Sequence, residues 1–186
     1  AAKLRAEKMF NENPKKFLEK AQPRKVQRAF AMLGAGRDDE FYPTPELLAG
    51  KMFGLLNMRG IKYVLEPSAG AGDLVEAFNR FCKRMDRRTG TGFWVEDLDV
   101  DAIELNPELA ACCKGKGIRI VGDDFLSFHT FKMYDAIIMN PPFSNGDKHL
   151  LKAISIMEKS GGQIVSLLNA ETLCNPYSNS RKLLMK

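Results

Sequence analysis

The stretch Tyr63-Val64-Leu65-Glu66-Pro67-Ser68-Ala69-Gly70-Ala71-Gly72-Asp73 reads as a short apolar strand with an acidic tip and a Gly-x-Gly turn. A helix follows, its apolar stripe running through Leu74, Val75, Ala77, Phe78 and Phe81. Glycine permits the tight turn and a close approach of a ligand to the backbone, and the start of the helix offers free amide groups. A dinucleotide fingerprint carries a third glycine two or three residues further on, where this chain has Leu74 and Val75. The turn therefore suits a nucleoside without phosphates better than a diphosphate. Glu66 argues the same way, since a carboxylate there repels phosphate and attracts an ammonium group.

Working outward, Val100-Asp101-Ala102-Ile103-Glu104 is a second strand ending in a carboxylate, followed by Leu105-Asn106-Pro107. A carboxylate at the end of the second strand of a βαβ unit is placed to accept from both ribose hydroxyls. The distance from Gly72 to Glu104 exceeds the roughly 20 residues of the usual fingerprint, so an insertion is expected between Arg80 and Leu98. A third strand, Ile118 to Val121, leads into Gly122-Asp123-Asp124-Phe125-Leu126. There an Asp can accept from an adenine amino group while Phe125 covers the ring face.

The fourth strand, Tyr134-Asp135-Ala136-Ile137-Ile138-Met139, stops at Asn140-Pro141-Pro142-Phe143, because neither proline can donate a ladder hydrogen bond. In an open α/β sheet the carboxyl ends of the strands are where ligands bind. An Asn amide, a proline carbonyl and an aromatic face at that edge offer two acceptors and a stacking platform to a planar, amino-bearing group. Such an amino group is a poor nucleophile because its lone pair is delocalised into the ring. Two acceptors on its hydrogens favour the pyramidal nitrogen needed for attack, so in-line positioning matters more than a strong base.

These four strand ends, in this order, resemble the S-adenosylmethionine-dependent amino-methyltransferases, and in particular the DNA adenine N6-methyltransferases known from restriction-modification. Phe41-Tyr42-Pro43-Thr44-Pro45 adds to the likeness, being similar to the segment those enzymes place before the first strand to close over the methionine end of the cofactor. The resemblance covers about residues 41 to 170. It implies a Rossmann-like class I methyltransferase fold, a mostly parallel doubly wound sheet with helices on both faces. It further implies that Tyr42, Thr44, Glu66, Pro67, Ser68, Gly70 and Gly72 shape the methionine pocket, with Thr44 on the cofactor carboxylate. Glu104 would hold the ribose, and Asp124 or its competitor Asp123 the adenine amino group, with Phe125 against the ring. Asn140 and the Pro141 carbonyl would accept from the target amino group, and Pro142 would set the turn from which Phe143 stacks on a base flipped out of duplex DNA. Methylation of an RNA base, methylation of a protein glutamine amide, and a non-enzymatic module keeping only the nucleoside pocket are the alternatives.

The remaining sequence sets the frame. Strands are expected near 61–65, 100–104, 117–121, 134–139 and 163–168, with helices near 46–57, 73–84, 107–114 and 147–159, and the polar stretch Arg80 to Gly92 reads as a loop. The family's sheet continues past its fifth strand with a closing hairpin, whereas this chain ends about one helix later, at Lys186. The domain 38–186 is therefore expected to be C-terminally incomplete, and target recognition to come from a separate chain or domain. Residues 1–37 hold ten basic and three acidic side chains, an excess of +7 where the whole 186-residue chain carries +5. Interleaved with Phe17, Leu18, Val26 and Phe30, they read as a basic helical arm, either a solvated helical face or a tracker of DNA phosphates. No apolar run approaches the ~18 residues of a membrane span, and no apolar leader is present, which points to the cytoplasm. The four cysteines form no Cys-x-x-Cys pair and the two histidines, His129 and His149, lie apart, so no metal site is expected.

Overall fold

A computed structural model describes residues 44–89, 98–169, 172 and 178–184 of the chain. The basic arm 1–37, the linker at Asp38-Asp39-Glu40, Tyr42 and Cys174 lie outside the described residues. Five strands, β1 (Tyr63–Glu66), β2 (Asp99–Ile103), β3 (Arg119–Gly122), β4 (Ala136–Met139) and β5 (Gln163–Ser166), form one sheet in the order β3-β2-β1-β4-β5. Every pairing is parallel. The order reverses between β1 and β4, and this switch point fixes where a crevice opens at the strands' carboxyl ends.

Burial explains the strands. All four residues of β4 are fully buried, as an interior strand of a two-sided parallel sheet requires. Neighbouring residues point to opposite faces. Val64, Ala136, Ile138 and Val165 meet α1 (Glu46–Phe53) and α2 (Asp73–Thr89) through Phe53, Leu74 and Phe78. Beside them Cys113 of α3 (Pro107–Gly115) packs with Val75, Ala102 and Ile118. On the other face Leu65, Ile103, Ile137 and Met139 pack with Ala153 and Met157 of α4 (Gly146–Ser160). A short helix, α5 (Asn179–Leu184), follows β5 and touches α4. No helix among the described residues is long and apolar enough to cross a membrane.

Two expectations are corrected. The first helix stops at Phe53 and not near Asn57, where Gly54 caps it and the chain turns. The stretch after Arg80 is not a loop or insertion from its start, because α2 continues to Thr89. Phe81 and Cys82 extend its apolar stripe into the core, and Phe81 lies 5.5 Å from the Phe53 ring. Arg80, Lys83 and Arg84, whose charge suggested a loop, are good helix formers on the solvated side. Arg80 and Arg84 there face Glu46 at 3.8 and 3.4 Å.

The second face also carries a buried polar knot. The Asp101 carboxylate, 1% exposed, accepts from the Tyr134 hydroxyl at 2.8 Å, from Lys132 Nζ at 2.7 Å and from Arg119 Nε. Lys132 also pairs with Asp99 at 2.9 Å and lies 5.0 Å above the Tyr63 ring. Burial, followed by the neighbouring Asp101 carboxylate, pushes the Tyr134 hydroxyl well above its ordinary value.

Candidate active site

Pro67 ends β1, and the turn behind it is built on backbone hydrogen bonds. Ser68 N donates to Glu66 Oε1 at 3.0 Å, Ala69 N to the Ile103 carbonyl at 2.9 Å, and Gly70 N to Glu104 Oε2 at 2.6 Å. The other Glu104 oxygen accepts from Asn106 N at 2.8 Å. Asn106 in turn caps α3, its side chain accepting from Glu108 N and Leu109 N with Pro107 at the first helical position. The half-buried Glu104 thus staples the glycine turn after β1 to the helix start after β2.

Gly70 and Gly72 both have positive φ, 56° and 85°, a region side chains rarely adopt. At Gly72 a Cβ would sit 2.4 Å from Ile118 Cδ1 and 3.3 Å from Cys113 Sγ. Its bare side is filled by α3 and the chain entering β3, as close packing demands. Two residues that sequence reasoning missed complete the cradle. Cys113 Sγ donates to the Gly70 carbonyl at 3.2 Å, and Lys116 Nζ to the Ala71 carbonyl at 2.6 Å while pairing with Glu76 at 3.0 Å. Burial pushes the Cys113 thiol up to about 12, which keeps it an unreactive donor. Nothing in the local pattern marks either residue, since the contacts span 40 to 45 positions.

Glu66 is fully buried, and its Oε2 has no hydrogen-bond partner among the described residues. Burial, opposed by the Ser68 N–H and aided by the Glu104 charge, raises its carboxyl to about 8. The sign of the linkage follows. A carboxyl whose pKa rises on folding contributes stability that is fully present below the unfolded value of about 4.5 and is lost as the pH climbs through about 8. The full linkage is about 1.4 kcal/mol per unit, reduced where the ionised side chain draws water or a cation. Glu66→Gln is therefore expected to exceed wild type by about 2 kcal/mol at pH 8 in ligand-free urea unfolding and to match it near pH 4.5. Equal stability at both pH values would remove Glu66 as a buried, strained acid.

Across the switch point, Asn140 follows β4 and its Nδ2 donates to Thr44 Oγ1 at 3.1 Å. Thr44 is 9% exposed and 96 residues away in sequence. This contact turns the carbonyl edge of the Asn140 amide the other way. Pro141 is buried, Pro142 half-buried, and Phe143 stands 44% exposed at the start of a 3-10 turn, Phe143–Asn145. His149 Nδ1 lies 3.0 Å from the Asn145 carbonyl. Burial lowers the His149 imidazole below its ordinary value, which favours the neutral ring.

At the end of β3, Asp123 Oδ1 accepts from Asp124 N and Asp124 Oδ1 from Leu126 N, both at 2.9 Å, an Asx-type turn in which Asp124 is the less exposed. The expected role of Phe125 needs correction, for it is 2% exposed, packed among Leu65, Ile103 and Ile137 and 5.6 Å from the His149 ring. It belongs to the core and presents no face to the edge. Leu105, next to Glu104 and 72% exposed, is an exposed apolar side chain just past the end of β2. Its signal was its place directly after a strand-end carboxylate.

No protein-family model matches the chain, and no curated protein matches it significantly. Solved structures do. The chain is 15% identical to a Staphylococcus aureus protein described as a caffeoyl-CoA O-methyltransferase, over 98% of this chain and 84% of that one, with a TM-score of 0.52. It is 13% identical to the 23S rRNA methyltransferase ErmE over 73% of this chain and 51% of that one, at 0.50. To Streptomyces venezuelae DesVI it is 15% identical over 78% and 57%, at 0.49. The chain spans 37% of the StiE O-MT structure, 57% of DesVI and 51% of ErmE. The likeness establishes the fold as that of the Rossmann-like methyltransferases.

Proposed function

We propose that the chain binds S-adenosylmethionine at the carboxyl edge of β1 and β2 and transfers its methyl group to the exocyclic N6 amino group of adenine in DNA. The observation that carries this reading is the Asn140–Thr44 hydrogen bond. It joins Asn-Pro-Pro-Phe to the Thr-Pro segment before α1, at the edge that also holds Glu66 and Glu104. The residues suit the cofactor. A buried carboxyl oxygen with no partner among the described residues, as at Glu66, calls for a cationic donor, and the cofactor's ammonium is one. Glu104, at the end of β2, is an acceptor-only carboxylate at the position where such a strand end meets ribose hydroxyls. Asp124 would accept from the adenine amino group, with Leu105 beside the ring in place of Phe125.

When bound, S-adenosylmethionine supplies an activated sulfonium methyl. The chain's own task is to hold the target amino group in line with it. Asn140 and the Pro141 carbonyl would accept that group's two hydrogens, easing the nitrogen toward a pyramidal geometry, while the exposed Phe143 ring stacks on the flipped base. His149 is buried against Phe125 with one nitrogen at the Asn145 carbonyl, so it is not placed as a general base, and this chemistry needs none. The +7 arm, residues 1–37, would track phosphates.

Transfer of tritiated methyl groups to unmethylated genomic DNA, followed by nucleoside analysis, tests the reading. Label on adenine N6 supports it, and label only on RNA would favour the second reading, suggested by the structural likeness to a 23S rRNA methyltransferase. Cofactor binding without transfer to any polymer would leave a binding module. For the cofactor half, Glu104→Ala is expected to weaken S-adenosylhomocysteine by about 1–3 kcal/mol, as loss of charge-assisted hydrogen bonds does. Isothermal titration showing unchanged affinity would remove Glu104 from the site.

A further inference from the structure

The loop bearing Asn140 to Asn145 is anchored at both ends, and only one anchor lies in the sheet. At its start Met139 is fully buried in β4. At its end the chain enters α4, whose N-cap residue Asn145 makes no side-chain capping bond. Asp147 does that work instead, its Oδ1 accepting from Lys148 N at 2.9 Å, where the helix dipole favours a negative charge. The other Asp147 oxygen accepts from Ser178 Oγ at 2.7 Å. Ser178 precedes α5, and its hydroxyl oxygen accepts from Arg181 N at 3.1 Å, which caps that helix in turn. Burial pushes the Asp147 carboxyl up. The Ser178 hydroxyl, the Lys148 N–H and the Arg181 charge outweigh it and hold the group below the ordinary carboxylate range.

Further contacts run the same way. A Cβ on Gly146 would lie 3.3 Å from Leu168 Cδ2 and 3.9 Å from Pro141 Cγ, so residues after β5 close directly over the loop's hinge. Asp147 is 7% exposed, although it sits only four residues beyond the exposed Phe143. A single hydroxyl therefore caps α5 and holds the carboxylate that caps α4, tying α5 to the start of α4.

We infer that Ser178 and Asp147 form a clasp that positions the Asn-Pro-Pro-Phe loop for transfer, so that α5 governs turnover without touching cofactor or target. This rests on the reading of that loop as the target-amino site. In-line geometry is unforgiving, a displacement of about 1 Å costing up to about 10²-fold in rate. Loosening the clasp should accordingly appear in turnover and in local opening, and leave the cofactor half unchanged.

The test uses the full chain as wild type, Ser178→Ala and Ser178→Thr, Thr keeping the hydroxyl. Turnover on unmethylated genomic DNA, S-adenosylhomocysteine affinity and amide hydrogen exchange are measured on each. Ser178→Ala is expected to lower turnover at saturating cofactor about tenfold or more, with affinity for S-adenosylhomocysteine within about twofold. Exchange at residues 143–148 should quicken about tenfold while residues 63–66 stay protected, and Ser178→Thr should restore both. Unchanged exchange at 143–148 overturns the clasp, and so does faster exchange across β1 as well, which would report general destabilisation. Locally faster exchange with undiminished turnover overturns the positioning role. Absence of transfer by the wild type refutes the methyltransferase reading itself, and exchange alone then decides whether the clasp exists.

Discussion

Asn140→Ala is expected to lower methyl transfer by about 10²–10³-fold, the loss typical when one preorganised polar group is removed from a transition state. Binding of S-adenosylhomocysteine should stay within a few fold. In the proposed reading Asn140 faces the target amino group and not the ribose, and its amide donates to the Thr44 hydroxyl at 3.1 Å. Alanine removes the acceptor and releases Thr44 together. Thr44→Ser offers the sharper comparison, because it keeps the hydroxyl that orients the amide and should retain most of the activity. Wild-type turnover by Asn140→Ala in single-turnover assays would mean that the chemistry is elsewhere.

Asp101→Ala should cause a large stability loss, about 2–4 kcal/mol. The substitution leaves the Tyr134 hydroxyl, 2% exposed, without the acceptor it meets at 2.8 Å, and an unsatisfied buried donor costs about 1–3 kcal/mol. Breaking a buried ion pair costs about 3–5 kcal/mol. Here the loss is smaller because Arg119 and Lys132 are partly exposed and keep Asp99. Asp99→Ala, at the solvated end of the same knot, should cost less than about 1 kcal/mol. Urea unfolding measures both, with a lowered midpoint and an unchanged slope expected for Asp101→Ala. Equal losses for the two variants would show that burial of Asp101 is not what makes the knot matter.

The knot bears on reading the chain as well as on its stability. In sequence, Asp101 sits between apolar Val100 and Ala102, and nothing local reveals that Lys132 and Tyr134 will reach it across the sheet. The same holds for the approach of Ile118 to Gly72: the glycine pattern announced a turn, but it took the packing of α3 to show that the missing side chain makes room for a neighbour. Phe125 was misplaced for a related reason. An aromatic residue after a strand-end Asp suits either a ligand or a core, and α4, arriving from later in the chain, decides for the core. The polar residues after Arg80 gave the wrong boundary because charge on one face of a helix resembles a loop when the buried stripe beneath it is short.

What the sequence by itself determined is the set of local features: five strands in order, the proline stop after Met139, the glycine turn after Glu66, and the carboxylates ending β1 and β2. These follow from side-chain periodicity and from backbone groups that proline and glycine remove or free, all within a few residues. The edge on which the candidate residues gather is legible for the same reason, since strand polarity decides it. Only the tertiary structure decided which partners each group meets. Glu104 bridging two turns, Asn140 held by Thr44, and Asp147 held by Ser178 are contacts between segments distant in sequence. Their geometry depends on how helices and strands pack, and no periodic pattern encodes it.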